Sequence, residues 1–190
     1  MATSFRIDDI SLNTDQNKIE WAVGVLGKHG QVTLAVSPLC CELDDPGDRK
    51  GWNYHAAEQP SSEPLGHYLR MRKMGVPQWA LEHQNRWEVA SHGLIHADHR
   101  LLNKQAQELS IVLSCNLVNA TIFVPPFHKY NKDTEEVCNE HFITLDKWDS
   151  YSSRHIGFHM FEEGFNYYLH EWDFTEKLIY WVNRKSDSPK

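Results

Sequence analysis

Apolar residues recur along this chain in two alternating periods. Phe5 and Ile7 flank Arg6 at period two, which predicts a strand over Phe5–Asp8. Ile19, Trp21, Ala22, Val25 and Leu26 then follow near helical period. A helix capped by Asn13 or Thr14 is therefore expected through about Lys28, closed by Gly27 and Gly30. Gln31–Ser37 reads as a second strand and Trp87–Ser91 as a third. His99–Asn116 carries Leu101, Leu102, Ala106, Leu109, Val112 and Leu113 and reads as a helix. Thr121–Val124 is a fourth strand, Asn131–His141 a short helix with acids in its first turn, and Phe142–Leu145 a fifth strand. Ile156–Phe161 and Tyr167–His170 are further strand candidates, and Thr175–Asn183 is a final helix. Pro38–Pro64, rich in Pro, Gly, Asp and Ser, reads as a long loop on a functional rim. Leu65–Arg86 reads as helix-rich, interrupted at Gly75-Val76-Pro77.

Strand and helix alternate without an internal repeat, the signature of parallel β/α architecture, open or closed into a barrel. Asp8, Asp9, His92, Pro125, Pro126, Asp146 and His170 all fall at the C-terminal ends of these strands. In β/α barrels that rim carries the active site, so the fold would gather these scattered polar groups on one face.

With 190 residues the chain suits a single domain spanning residues 1–190. A formal charge of -7 excludes nucleic acid as the main partner. Glycans, which bind through aromatic faces and hydrogen bonds, fit better, and Trp148 and Trp172 could stack on sugar rings. A half-buried tryptophan on a barrel rim would have the same sequence signature. No transmembrane or signal segment is evident, and Cys40, Cys41, Cys115 and Cys138 show no C-x-x-C spacing. Free thiols in a cytoplasmic protein are the expectation.

A carboxylate from Asp8-Asp9 and the imidazoles of His92 and His96 make a usual ligand set for a hydrolytic metal, with one carboxylate left over as a base. The chain has 12 histidines, so a His-x-x-x-His pair is unremarkable by itself, and His155 and His159 form a second one. Context separates them. His155–His159 runs into a strand, where residues four apart lie roughly 13 Å from each other. Gly93 breaks the strand after His92, so a turn can return His96 to about 6 Å, as in a helical i,i+4 pair. Asp44-Asp45, before Pro46-Gly47-Asp48, reads as a solvated turn. A helical zinc-protease pair is excluded because Gly93, not Glu, follows the first histidine.

In order, Ile7-Asp8-Asp9, His92-Gly93-Leu94-Ile95-His96, Val124-Pro125-Pro126-Phe127, Leu145-Asp146-Lys147-Trp148 and Tyr168-Leu169-His170 resemble the five motifs of the polysaccharide deacetylase superfamily, carbohydrate esterase family four. The resemblance implies a distorted or incomplete β/α barrel that removes an N-acetyl group from a sugar or polysaccharide precursor. It implies that Asp9, His92 and His96 bind one divalent metal, with zinc favoured and nickel, cobalt or iron also suited to the donors. Asp8 would be the general base, and His170, oriented by Asp146, would protonate the departing amine. The main chain at Phe127 would hold the oxyanion, with Pro126 beside it. Asn131 could touch substrate, although a helix cap explains it equally. Hydrolysis of another amide or an ester, and a degenerate sugar-binding or scaffold protein, are the alternatives.

Departures from the family's motifs fall at four positions, one of them Phe127, which keeps the main-chain donor but loses the hydroxyl of the family's Tyr. Ile10 stands where the family commonly has Gly, Gly93 where it has Ser or Thr, and Val124 where it has an Arg that pairs with the base. The loss at 93 removes a hydroxyl that could brace the turn. The loss at 124 should leave Asp8 with a raised pKa, or leave its restraint to another residue such as Arg6.

Overall fold

The computed structural model describes residues 3–12, 14–40, 73–82, 85–94, 96–147, 153–155 and 166–170. Ser4–Ile10 forms β1, Gln31–Val36 β2, Leu39–Cys40 β3, Lys73–Met74 β4 and Glu88–Ser91 β5. Ile122–Phe123 forms β6, Thr144–Leu145 β7, Ser153–His155 β8 and Asn166–His170 β9. The helices are α1 (Gln16–Leu26), α2 (Gln78–Glu82), α3 (Lys104–Val118) and α4 (Lys132–Glu140). Seven strands form one sheet in the order β7-β6-β5-β2-β1-β9-β8. Every pairing in it is parallel. Among the described residues β7 and β8 are open edges, so this is an α/β sheet with the strand succession of an incomplete barrel.

The strands read as near-continuous apolar runs because both faces are covered. Phe5, Ile7, Ile10, Val32, Leu34, Val36 and Val89 are buried together with Ile19, Ala22, Val23 and Leu26 of α1. Helix α3 covers the sheet further along, where Ile111 and Cys115 pack with Phe123, Val137 and Cys138. Gly30 is required at the turn into β2, since a Cβ there would lie 2.0 Å from the Thr3 carbonyl oxygen.

Several element boundaries differ from the sequence expectation. Asp15, not Asn13 or Thr14, caps α1, accepting from the Asn17 amide; Thr14 accepts from the Ser11 amide instead. The expected helix over His99–Asn116 is divided. A 3-10 turn, His99–Leu101, opens on Asp98, and α3 starts afresh at the Asn103 cap and runs to Asn119 in the left-handed conformation. Within the described part of the helix-rich stretch, Lys73–Met74 pairs antiparallel with Leu39–Cys40, and the helix Gln78–Glu82 follows Pro77. Residues 41–72 of the expected loop and helix-rich stretch, and the expected elements Ile156–Phe161 and Thr175–Asn183, lie outside the described residues.

Because the seven strands are parallel, their C-terminal ends share one edge of the sheet. Asp8 pairs in register with His170 across β1 and β9. The His92 amide continues the ladder to Val36, the Val124 amide to Ser91 and the Asp146 amide to Phe123. The topology thus places five separated segments at one rim.

Candidate metal centre and active site

Asp9 owes its position to a break in β1. Ile7 pairs with Leu34 and Ile10 with Val36, so three steps on β1 match two on β2. The extra residue is accommodated by Asp9 at φ 65°. In a regular strand Asp8 and Asp9 would point to opposite faces. A bulge with one left-handed residue re-aims a side chain, and here both carboxylates engage partners at the rim. Ile10 needs no glycine-like backbone, for its φ is not positive, and it is fully buried in the core.

Asp9 Oδ1 lies 3.0 Å from His96 Nε2 and 3.4 Å from His92 Nε2. Gly93, at φ 79°, makes the turn between the two histidines. His92 Nδ1 lies 2.9 Å from the Val124 carbonyl. A carbonyl can only accept, so Nδ1 carries a proton, and Nε2 is the nitrogen turned toward Asp9 and open to a metal. The ligand atoms of Asp9, His92 and His96 all lie within 4.8 Å of one another. Bonds of about 2.0–2.1 Å at tetrahedral angles set donor atoms about 3.3 Å apart. Asp9 Oδ1 is buried and has no well-formed hydrogen bond among the described residues. An acceptor-only oxygen, buried without a hydrogen bond and facing two imidazole nitrogens, is what a cation would satisfy; the three groups fit a divalent metal. Burial pushes the Asp9 carboxyl up, but His96 and His92 outweigh it and hold it far below the usual carboxylate range.

Beside this cluster lies a charge network centred on Arg6, whose side chain is only 1% exposed. Its Nε donates to Asp8 Oδ1 at 2.6 Å and its Nη2 to Asp8 Oδ2 at 2.9 Å. Nη1 donates to Asp146 Oδ2 at 2.9 Å. Nη2 also approaches His128 Nε2 at 2.8 Å, and a guanidinium can only donate, so that nitrogen accepts. Burial raises the Asp8 carboxyl, yet Arg6, together with His128 and His92, more than reverses this and keeps it ionised. Of the two expected outcomes at Asp8, the raised pKa is corrected and restraint by Arg6 is what the structure shows: the cation missing at Val124 is supplied from β1 itself. Val124 packs, fully buried, with Ala35 and Ala90. Asp146 moves the other way; burial raises it, and Arg6 only partly offsets that.

His170 brings Nε2 to 3.8 Å from Asp9 Oδ2. Tyr168 lies between two imidazoles, its ring centroid 4.7 Å from His128 and 6.2 Å from His170. Phe127 and His128 both have φ 57°, a left-handed pair that costs roughly 1–2 kcal/mol per residue outside glycine. The turn sets the Phe127 ring 4.3 Å from His96 and carries His128 to Arg6.

No protein-family model and no curated protein matches the sequence. Among solved structures, the chain is similar to a family 4 carbohydrate esterase from Streptomyces lividans in complex with acetate. The two are 12% identical with a TM-score of 0.57, over 96% of this chain and 84% of that one. The fold is that of the family 4 carbohydrate esterases. A family 4 pseudoenzyme from Bacillus anthracis is similar at 10% identity and a TM-score of 0.55, over 96% of this chain and 60% of that one. The peptidoglycan deacetylase PdaC from Bacillus subtilis is similar at 12% identity and a TM-score of 0.53, over 90% of this chain and 74% of that one.

On this family 4 fold, the residues expected from the sequence are distributed as follows. Asp8, Asp9, His92, His96, Asp146, Pro126, Phe127 and His170 meet at the rim through the contacts above or as neighbours in the Pro125–His128 turn. Asp146, expected to orient His170, accepts from Arg6. Asn131 Oδ1 is engaged by the Thr134 amide and Gln107 Nε2, completing a capping box at the start of α4. Trp148 and Trp172 lie outside the described residues. His128, read from sequence as ordinary, joins the site; its one local signal is its place directly after Phe127. Arg6 was legible as a partner because residues i and i+2 on a strand share a face.

Proposed function

We propose that this chain is a metal-dependent hydrolase that removes the acetyl group from an N-acetylated sugar or glycan. The observation that carries the reading is the buried Asp9 oxygen facing two imidazole nitrogens, with a second carboxylate, Asp8, kept ionised beside it. The family 4 fold supports the same reading. Asp9, His92 and His96 would hold the ion, which when bound supplies a Lewis acid for the amide carbonyl; zinc suits these donors, as do nickel, cobalt and iron. Asp8 accepts the proton of the attacking water while Arg6 holds its orientation. The Phe127 amide donates to the developing oxyanion. His170, on the other side of Asp9, gives its proton to the departing amine. Pro126 shapes the turn that carries Phe127, and Asn131, Trp148 and Trp172 are the remaining candidates for sugar contact. Buried free thiols at Cys115 and Cys138 suit a reducing compartment, which favours a cytoplasmic sugar precursor as substrate. No helix among the described residues is long and apolar enough to cross a membrane.

Acetate release from N-acetylated glycans, compared with small acetamides and acetate esters, tests this. The metal-loaded protein should favour the glycans, and preference for a small amide or ester would move the activity to that class. Asp8→Asn and His170→Ala should each lower turnover roughly 10²–10⁴-fold without loss of fold. The Bacillus anthracis pseudoenzyme of the same fold motivates a non-catalytic reading, which predicts metal retention with no acetate released from any substrate.

A further inference from the structure

The turn that joins His92 to His96 leaves the β5 ladder, so the amides of Gly93 and Leu94 need other acceptors. Both find serine hydroxyls. The Gly93 amide donates to Ser91 Oγ at 3.2 Å, and the Leu94 amide to Ser110 Oγ at 3.1 Å. Ser91 Oγ is itself in hydrogen-bond contact with Ser114 Oγ, whose hydroxyl reaches the Ser110 carbonyl. Ser91, Ser110 and Ser114 are completely buried, and so is His99.

The direction of the hydrogen bonds around Ser110 is fixed by the partners. His99 Nδ1 lies 3.0 Å from the Ala97 carbonyl, so it carries the ring proton. His99 Nε2 is then the acceptor, 3.1 Å from Ser110 Oγ. The Ser110 hydroxyl donates to His99 and accepts from Leu94, leaving it one rotamer that satisfies both. The His99 ring is held in turn against Phe123, with centroids 5.0 Å apart. Burial keeps this imidazole neutral, its pKa lowered to about 4, as an accepting Nε2 requires.

We propose, resting on the metal site of the preceding section, that Ser110 and His99 are positioning residues for the metal. Through the Leu94 amide they lock the ligand turn, replacing from α3 the hydroxyl that position 93 lacks. Partners behind a ligand set typically contribute 10–100-fold to metal affinity although they never touch the ion.

The test is the zinc dissociation constant, read by chelator competition, for wild type, Ser110→Ala and His99→Leu. Thr134→Ala serves as the comparison, because it removes a buried hydroxyl far along the chain from the ligand turn. Ser110→Ala should weaken zinc roughly 10–100-fold. His99→Leu should weaken it less, because Ser110 can still accept from Leu94. Thr134→Ala should lower thermal stability and leave zinc affinity alone. If Ser110→Ala fails to fold, His99→Leu decides the matter. Wild-type zinc affinity in the folded variants would overturn the proposal while leaving the metal site standing. A wild-type protein that binds none of zinc, cobalt or nickel would remove the metal site and this proposal with it.

Discussion

Arg6 holds both oxygens of Asp8 from two residues earlier on the same strand, Nε to Oδ1 at 2.6 Å and Nη2 to Oδ2 at 2.9 Å. Cation and base therefore move as one rigid piece of β1. A partner at position 124, after β6, would depend on the alignment of β1, β2, β5 and β6 across the sheet.

Removing that cation should be severe. Arg6→Met leaves Asp8 buried, and Asp146 half-buried, without their cation, a loss of about 3–5 kcal/mol for a broken buried pair. Urea denaturation at neutral pH would measure it. Arg6→Lys keeps a charge but loses the two-pronged grip, so Asp8 should protonate at higher pH in that variant. The acid limb of kcat/KM should rise accordingly. An acid limb that stays in place, with metal content unchanged, would show that Asp8 is kept ionised by another group.

Val124→Arg should not restore a lost function. The position is fully buried among Ala35 and Ala90, and its carbonyl is committed to His92. A second cation there is both too large and unpaired. Destabilisation of about 3 kcal/mol or more is expected by thermal denaturation. A variant that folds normally and shifts the acid limb downward would place residue 124 against Asp8 after all.

His99 gives the apo fold a specific acid sensitivity. Its folded pKa, lowered to about 4 by burial, lies below the ordinary histidine value of about 6.5. Between those values the unfolded chain binds the extra proton, so stability falls as pH drops from about 6.5 to about 4 and levels off below. The depressed pKa corresponds to about 3 kcal/mol over that window. His99→Leu should remove this slope from metal-free protein. Equal pH slopes for His99→Leu and wild type in urea titrations would contradict the assignment.

Much of the architecture was readable from sequence because it rests on patterns a chain cannot hide. Apolar runs and the alternation of periods gave the parallel sheet, and strand ends gave the rim. What the sequence concealed depends on backbone detail and on partners distant along the chain. The bulge that turns Asp8 and Asp9 toward one rim needs a left-handed Asp9, and no residue type announces that. The break between His99–Leu101 and α3 follows from two successive caps, Asp98 and Asn103, inside an unbroken apolar periodicity. Val124 left two outcomes open in sequence, a raised Asp8 pKa or restraint by a residue such as Arg6, and only the side-chain geometry of β1 decides for Arg6. His128 gave no periodic or spacing signal; the left-handed pair at Phe127 and His128 brings it to Arg6.

The central claim is the division of labour between adjacent aspartates, Asp9 on the metal and Asp8 on the proton. Metal stoichiometry after exhaustive dialysis of zinc-loaded wild type, Asp8→Asn, Asp9→Asn and the His92→Ala/His96→Ala double variant tests it most directly. Wild type and Asp8→Asn should retain a single ion per chain, and the other two should retain none. An Asp8→Asn protein without metal beside an Asp9→Asn protein with it would exchange the two roles, and full occupancy in the double-histidine variant would contradict the site altogether.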